Sequence, residues 1–144
     1  EPKLLLAEIT ETMVAENASL VENTIQGLHR KGFSVMMDDF GSGYSSLNML
    51  KDTNVDAIKL DMQFIVRDSE SSKGKQIVES VIEMARRLNL PIIAEGVETQ
   101  EEMELLRSWN VDMIQGYYFS RPLPPDDLLR LLTESAETPA ENQA

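Results

Sequence analysis

Five short apolar segments alternate with segments of helical spacing along this chain, and this alternation limits the possible folds more than any other feature. The apolar segments, predicted as strands, cover residues 4–10, 33–39, 55–60, 91–94 and 111–119. Strands that are each followed by a helix pair in parallel, because the helix returns the chain to the same end of the sheet. The sequence therefore predicts an α/β domain with a parallel sheet and crossover helices.

The intervening segments carry the signals of helices. Predicted helices cover residues 16–30, 45–51, 76–88, 100–109 and 126–132. Thr99 and Glu102 have the spacing of a capping box at a helix start. Polar segments at 68–75 and 133–144 are predicted as a flexible loop and a disordered tail, which leaves residues 1–132 as the domain.

Two architectures accommodate five such units. An open, doubly wound sheet of flavodoxin type suits a chain of 144 residues. A (β/α)8 barrel needs about 250 residues, so this chain would supply only about five of its units. Length alone favours the open sheet.

The composition excludes several classes of partner. A formal net charge of −12 disfavours a nucleic-acid polymer or an anionic membrane surface, because both would be repelled. The chain has no cysteine and no segment with the length of a membrane span or the composition of a signal peptide, which predicts a cytoplasmic protein. Because the chain begins at Glu1 and enters an apolar strand almost at once, we expect it to be part of a longer protein.

Two adjacent carboxylates, Asp38 and Asp39, end the second predicted strand. At the end of a strand both side chains can reach the same cation. Two carboxylates this close repel each other, and a bound divalent metal is the simplest way to neutralise them. The alternative is an Asp-rich turn in which Asp39 or Ser42 acts as a cap.

Polar residues mark the carboxyl end of every predicted strand. They are Glu8, Asp38, Asp39, Lys59, Asp61, Glu95, Glu98 and Gln115. Functional sites of parallel α/β folds lie at this end of the sheet. Each residue alone could be a cap or a solvated loop charge. Because all five strands have such a residue at the same end, a shared site is the better hypothesis.

The residue types in this set predict the chemistry. Oxygen ligands without clustered His or Cys select hard cations such as Mg²⁺ or Mn²⁺. Two such ions held by shared carboxylates position an attacking water against a phosphodiester. Lys59 could orient that water or offset phosphate charge, and Glu95 is placed to accept its proton. No Ser-His-Asp set or Walker-type loop occurs, so acyl transfer and nucleotide-triphosphate chemistry are poorly supported.

Five motifs together are specific enough to indicate a family. They are Ala-Glu-Ile-Thr-Glu at 7–11, Asp-Asp-Phe-Gly-Ser-Gly-Tyr-Ser-Ser-Leu at 38–47, Ile-Lys-Leu-Asp at 58–61, Ala-Glu-Gly-Val-Glu at 94–98 and Gln-Gly-Tyr-Tyr-Phe-Ser-Arg-Pro at 115–122. In this order they closely resemble the motifs of EAL-domain cyclic di-GMP phosphodiesterases, over residues 4–129. The resemblance implies an incomplete (β/α)8 TIM-type barrel, which reverses the architecture that length favours.

The resemblance also implies an activity and roles for residues. The family hydrolyses cyclic di-GMP to linear pGpG with Mg²⁺ or Mn²⁺ and is inhibited by Ca²⁺. Glu8 and Asp38 would ligate the first metal, and Asp38 would bridge to a second that Asp39 also holds. Lys59 would bind the water or a metal-bound group, and Glu95 would be the general base.

The remaining motif residues would support the site. Glu98, Gln115 and Asp61 would hold the substrate or the catalytic groups. Glu11 would anchor the loop after Asp39, which in the family gates metal binding and dimerisation. The resemblance therefore implies a homodimer, with the parent protein fused to sensory or GGDEF modules.

The sequence departs from the family pattern in three ways. Ser42 stands where Thr is usual, which keeps the hydroxyl, and Met62 stands where Arg is common, which weakens ligand contacts. The Glu-x-Leu motif and a metal-binding Asn of the family precede the region that this chain matches. We therefore expect the chain alone to be inactive or weakly active, and to pack against a second copy or to derive from a longer parent.

Three functions compete for these residues. The first is part of a two-metal cyclic di-GMP phosphodiesterase, and the second is a non-hydrolytic cyclic di-GMP-binding or regulatory module that acts through dimerisation. The third is a receiver-like phosphoacceptor, which is weakest because its acidic pair should follow the first strand. Trp109, Tyr117 and Tyr118 are predicted mainly as core or dimer contacts, with stacking of an aromatic on guanine as the alternative.

Overall fold

The computed structural model describes residues 1–41, 47–62, 65 and 71–137. Five parallel strands form one sheet in the order β1-β2-β3-β4-β5. The strands are β1 (Leu6–Thr10), β2 (Ser34–Asp38), β3 (Ala57–Asp61), β4 (Ile92–Glu95) and β5 (Met113–Gln115). The predicted parallel sheet of five units is confirmed.

Six helices occur in the described part of the chain. They are α1 (Glu11–Glu16), α2 (Ala18–Arg30), α3 (Leu47–Asp52), α4 (Ser72–Arg87), α5 (Gln100–Ser108) and α6 (Pro125–Glu137). None of these helices is long and apolar enough to cross a membrane. The capping box predicted at Thr99 is present, with Glu102 returning its side chain to the Thr99 backbone N–H at 3.1 Å.

The helix predicted over 16–30 corresponds to α2, and a separate helix, α1, precedes it. Asn17 separates them, because its side chain accepts the backbone N–H of Leu20 at 3.1 Å and so starts α2. Thr10 starts α1 in the same way, by accepting the N–H of Met13 at 3.3 Å. The prediction missed α1 because a helix of six residues shows too little periodicity.

Two polar segments are more helical than predicted. Ser71 accepts the N–H of Gly74 at 2.9 Å and begins α4 at Ser72, so residues 72–75 do not belong to the predicted flexible loop. Helix α6 continues to Glu137 instead of ending near Leu132. Residues 68–70 of the predicted loop and 138–144 of the predicted tail lie outside the described residues.

The first and last strands are shorter than predicted. β1 starts at Leu6 because the N–H of Leu5 bonds the carbonyl of Pro2 at 2.9 Å, which closes a 3-10 turn over Pro2–Leu4. β5 ends at Gln115 because the chain turns there: the N–H of Phe119 bonds the carbonyl of Gly116 at 3.2 Å. The aromatic segment 117–119, which was predicted as the end of the last strand, therefore belongs to a turn.

An Asn-Val-Asp motif occurs twice, directly before β3 and before β5, at 54–56 and 110–112. Asp56 accepts the backbone N–H of Val35 at 2.7 Å, and Asp112 accepts that of Ile92 at 2.9 Å. Each aspartate thus ties the start of its own strand to the start of the preceding strand. This pairing fixes the strand register at the end of the sheet opposite to the predicted site.

The core lies between the sheet and its helices. Its fully buried side chains include Ile25, Val35, Met37, Ile58, Leu60, Val78, Ala85, Ala94 and Leu106. A second, smaller apolar cluster joins Met36, Ala57 and Ile93. Because side chains alternate along a strand, this smaller cluster lies on the other face of the sheet, which is the face that carries the predicted site.

Candidate functional site

Lys59, in the middle strand β3, is the centre of a charged cluster. Its side chain is buried, with 6% of the residue exposed, and its ammonium lies 3.3 Å from Glu8 Oε1 and 3.5 Å from Asp38 Oδ1. Glu95 accepts a hydrogen bond from the same ammonium. The structure thus brings together three of the predicted carboxylates, from β1, β2 and β4, around the predicted lysine.

The parallel register explains this convergence. Glu8 pairs with Met36, which pairs with Ala57, and each of these two has a charged residue two positions later, Asp38 and Lys59. Residues two positions apart point to the same face of a sheet. The apolar cluster of Met36, Ala57 and Ile93 therefore forms a layer directly below the charged layer.

Lys59 remains a cation at neutral pH. Burial alone would lower its pKa, but the hydrogen bond with Glu95 and the charge of Asp38 outweigh burial and raise the pKa above its usual value. One ammonium offsets only part of the charge of three carboxylates. The cluster therefore retains excess negative charge near its exposed side, where Glu8 and Glu95 are 47% and 42% exposed.

Asp39 lies next to the cluster but does not contact Lys59 directly in the described hydrogen bonds and ion pairs. Its backbone has a φ of 56°, and its N–H donates to Asp38 Oδ1 at 2.9 Å. Partial burial, together with the charges of Asp38 and Asp61, raises the pKa of Asp39. Asp39 thus stands where a further cation would lower the electrostatic energy.

Glu11 holds the start of the loop that follows Asp39. It is 1% exposed, and its Oε2 accepts the N–H of Gly41 at 3.2 Å. The N–H of Phe40 bonds the carbonyl of Lys59 at 3.1 Å, which ties the same loop to β3. Residues 42–46, including Ser42 and Gly43, lie outside the described residues.

The predicted supporting residues Asp61, Glu98 and Gln115 lie at different positions around the charged cluster. In the register, Asp61, Glu95 and Gln115 are neighbours across β3, β4 and β5. Glu95, Glu98 and Gln115 line one side of a cavity of about 700 Å³ beyond β5. Met62 is buried, with 3% exposed, and packs near Gly96. The cavity therefore borders the charged cluster through Glu95.

Gly116 holds β5 close to the segment after β4. A Cβ atom at this position would lie 2.1 Å from the carbonyl oxygen of Val97, so no other residue fits without movement of the backbone. The N–H of Val97 bonds the carbonyl of Gln115 at 3.2 Å across the same contact. Gly116 thus positions Gln115 beside Glu95.

The aromatic residues do not all match their predicted roles. Tyr117 and Tyr118 are 51% and 38% exposed, so neither is a core residue of this chain. Trp109 packs partly against the core, and its ring N–H donates to Glu79 at 3.1 Å. Sequence reasoning also missed the stacking of Arg121 on the ring of Tyr117, at 4.4 Å from the ring centroid. Only the presence of a basic residue four positions after an aromatic one could have indicated it.

The donor set has the chemistry of a site for a hard divalent cation. Carboxylate oxygens of Glu8, Asp38 and Glu95 converge, which suits Mg²⁺ or Mn²⁺ better than softer metals. Among the described residues, however, no group of three or more His, Cys, Asp or Glu side chains is already arranged around a position for an ion. The Lys59 ammonium occupies the point at which the three carboxylates meet.

The comparisons with known proteins all point to the same protein family. The sequence model of the EAL domain matches residues 1–122. The cyclic di-GMP phosphodiesterase NbdA of Pseudomonas aeruginosa is 40% identical over 117 residues, which is 81% of this chain and 15% of that protein. The bifunctional diguanylate cyclase/cyclic di-GMP phosphodiesterase MucR of the same organism is 36% identical over 129 residues, which is 90% of this chain and 19% of that protein.

Solved structures of the family have the same fold. PaMucR phosphodiesterase in complex with c-di-GMP superposes with a TM-score of 0.80 at 36% identity, over 89% of this chain and 52% of that one. BlrP1 of Klebsiella pneumoniae, with manganese and cyclic di-GMP, gives a TM-score of 0.76 at 38% identity, over 85% of this chain and 31% of that one. The likeness selects the incomplete TIM-type barrel over the open doubly wound sheet.

Proposed function

This chain belongs to the EAL domain family, and from that premise we propose that it is part of a metal-dependent phosphodiesterase that hydrolyses cyclic di-GMP to linear pGpG. The observation that carries the proposal is the convergence of Glu8, Asp38 and Glu95 on Lys59. The names of NbdA and MucR, and the ligand in the PaMucR structure, support cyclic di-GMP as the substrate.

The proposed reaction is an in-line hydrolysis of one phosphodiester bond. The oxygen of a water forms a bond to phosphorus, the bond from phosphorus to the 3′ oxygen breaks, and that oxygen leaves with a proton. Glu95 would accept the proton of the attacking water, because its carboxylate is partly exposed at the rim of the cluster. Lys59, which stays charged, would orient Glu95 and offset negative charge at the phosphate.

Glu8, Asp38 and Asp39 are proposed to hold Mg²⁺ or Mn²⁺. The ions, when bound, would lower the pKa of the attacking water and neutralise the phosphate. Two features of the chain support this assignment: the donors are all carboxylates, and the pKa of Asp39 is raised by burial and by the neighbouring charges of Asp38 and Asp61. The manganese in the BlrP1 complex supports the metal class.

The other predicted residues are proposed to position the site or to bind substrate. Glu11 would control the loop after Asp39 through its bond to Gly41, which makes Glu11 a positioning residue. Glu98 and Gln115 would bind substrate from the wall of the cavity that Glu95 shares. Asp61 would help to keep the pKa of Asp39 raised, because the two carboxylates repel each other.

The competing functions receive less support. A non-hydrolytic binding or regulatory module would have no need to keep all of these acidic residues, yet each one that the resemblance requires within residues 1–122 is present. The receiver-like alternative is wrong, because the chain belongs to another family. We also propose the homodimer, the cytoplasmic location and the fusion to sensory or GGDEF modules, and the double activity in the name of MucR supports the last of these.

Hydrolysis is tested by incubating cyclic di-GMP and Mn²⁺ or Mg²⁺ with the chain alone and with the chain preceded by the part of an EAL domain that it does not match. Linear pGpG is measured by mass spectrometry. We expect product from the completed protein, at least about 100-fold less from the chain alone, and loss of product in Glu95→Gln. Glu83→Gln, on the distant helix α4, serves as the matched control and should keep full activity.

The result also separates the alternatives. Binding of cyclic di-GMP by the completed protein without any product would establish the regulatory module instead. Hydrolysis that persists in Glu95→Gln, or in the presence of excess EDTA, would contradict the proposed roles of Glu95 and of the metal.

A further inference from the structure

The segment after β5 places an arginine over a tyrosine ring. The guanidinium of Arg121 lies 4.4 Å from the ring centroid of Tyr117. The turn between them is closed by the N–H of Phe119, which bonds the carbonyl of Gly116 at 3.2 Å. Because a cation is attracted to the face of an aromatic ring, this contact restricts the position and the plane of the guanidinium.

Arg121 keeps its hydrogen-bond donors available. Among the residues that the structure describes, its guanidinium forms no hydrogen bond and no ion pair. A guanidinium carries five N–H donors in a planar fork. Contact through the face of this plane leaves the donors at its edge free to bond a ligand.

Glu98 is a carboxylate in the same situation. Its backbone N–H donates to Glu102 at 2.8 Å, but its own carboxylate has no hydrogen bond or ion pair within the described ranges. The N–H of Tyr118 bonds the carbonyl of Val97 at 3.0 Å, which joins the segment that carries Glu98 to the segment that carries Arg121. The two charged side chains are thus held near each other by backbone contacts without forming a pair.

Arg121 and Glu98 line the same cavity of about 700 Å³ beyond β5. This volume is in the range of small-molecule sites, roughly 300 to 1,000 Å³. Much of the wall is apolar and consists of Ile114, Phe119, Pro122, Leu123 and Leu128. Such a wall, with a cation and an anion that do not pair, suits a flat ligand that has acceptors on one edge and donors on another.

Guanine has this arrangement of edges. Its O6 and N7 accept hydrogen bonds, and an arginine fork bonds both of them. Its N1–H and 2-amino group are donors that a carboxylate accepts. Adenine has an amino group in place of O6, so the fork would meet a donor there. An arginine and a carboxylate therefore distinguish guanine from adenine.

We propose that this cavity binds a guanine base, with Arg121 donating to O6 and N7 and with Glu98 accepting the N1–H and the 2-amino group. Tyr117 is a positioning residue, because it holds the guanidinium in place. The choice of guanine rests on the proposed function, since cyclic di-GMP carries this base. Glu95 belongs to both the cavity and the charged cluster, so a nucleotide with its base in the cavity extends its phosphate toward the cluster.

GMP and AMP in the presence of EDTA test recognition of the base alone. Neither has the phosphodiester bond that is cleaved in the proposed reaction, and EDTA removes divalent metals. Binding to the chain is measured by NMR from the shifts of the Gln115 and Tyr117 backbone amides. We expect GMP to bind at least about tenfold more tightly than AMP.

Arg121→Lys keeps the positive charge and removes the fork. This variant should bind GMP about tenfold more weakly, and its affinity for AMP should change by less than about twofold. 7-Deaza-GMP, which lacks N7, should bind about fivefold more weakly than GMP to the unchanged chain, and this difference should fall below about twofold in Arg121→Lys. Arg107→Lys is the matched control, because Arg107 is exposed on α5 and does not line this cavity, and it should leave both affinities unchanged.

Two further residues have variants of their own. Glu98→Gln should reduce the preference for GMP over IMP, which lacks the 2-amino group. Tyr117→Leu should weaken GMP about threefold and leave AMP unchanged, whereas Tyr117→Phe keeps the ring and should behave like the unchanged chain.

Three outcomes would overturn the proposal. Arg121→Lys could weaken GMP and AMP by the same factor, which is the result expected of a purely structural role. The unchanged chain could bind GMP and AMP equally, or neither nucleotide could shift these amides. The hydrolysis test is separate: a preference for GMP that depends on Arg121, together with no pGpG from the longer protein, would refute the proposed reaction and support this site.

Discussion

The middle of the sheet and its two edges have similar residue types but opposite surroundings. In β2 and β3, seven of the ten residues are buried, whereas β1 and β5 have one buried residue among eight. The middle strands are stabilised by contacts that the chain makes with itself. The edges carry equally apolar side chains, such as Leu6 and Met113, but these stay 40% and 50% exposed. The apolar character of a residue therefore does not by itself predict whether the residue is buried within this chain.

The largest expected effect comes from deleting the same kind of side chain in the two regions. Ile58→Ala removes a fully buried side chain from β3 and should lower the free energy of unfolding by about 3 kcal/mol. Met113→Ala at the β5 edge, where half of the residue is already exposed, should cost less than about 1 kcal/mol. Urea denaturation of both variants measures the difference.

The slope of the urea transition serves as the control, because it should be the same in both variants if both unfold in two states. Equal losses of stability would show that β5 is as firmly packed as β3. The distinction between the middle and the edges would then fail.

The second prediction concerns the charged cluster that bridges the two regions. Lys59→Met leaves three carboxylates facing one another, and we expect the free energy of unfolding to fall by about 2 kcal/mol at pH 7. The raised pKa of Lys59 means that its contribution is complete below about pH 10 and is lost only as the pH rises through the folded value.

Lys51→Met, at an exposed position on α3, is the matched control and should change stability by less than about 0.5 kcal/mol. Mg²⁺ alone should raise the melting temperature of Lys59→Met more than that of the unchanged chain, because the cation replaces the missing ammonium. An equal response of both proteins to Mg²⁺ would contradict a cation site among these carboxylates.

The sequence predicted the grouping of the charged residues better than it predicted the edge strands. Glu8, Asp38, Lys59 and Glu95 could be placed together because each one ends a strand, and parallel strands end at the same side of the sheet. The turn after Gln115 could not be predicted, because it depends on the contact of Gly116 with the backbone of Val97, which is distant in sequence. The apolar character of β1 does not indicate its exposure either: Leu6 is 40% exposed because β1 lies at the edge of the sheet.

A smaller effect is expected at the border of the cluster. Asp39→Asn removes a carboxylate whose pKa is raised by partial burial and by Asp38, and Asn adopts a φ of 56° readily. A raised pKa means that the charged form destabilises the fold above that pKa, so the variant should gain about 0.5 kcal/mol at pH 7 and nothing at pH 3. Thermal unfolding at the two pH values measures this gain. Any proposed metal-dependent activity should be lost in the same variant.

The smallest expected effect lies outside both regions, on the surface of α4. Glu83 accepts hydrogen bonds from Arg86 and Arg87, both at 3.0 Å, and the bond from Arg87 lowers its pKa most. A lowered pKa means that this contribution is present above the ordinary carboxylate range and is lost as the pH falls through the folded value. Because the group is fully exposed, Glu83→Gln should lower the melting temperature at pH 7 by less than any variant above, and salt should remove the difference. A shift as large as that of Lys59→Met would mean that surface charge, and not burial, separates the stable middle of the sheet from its edges.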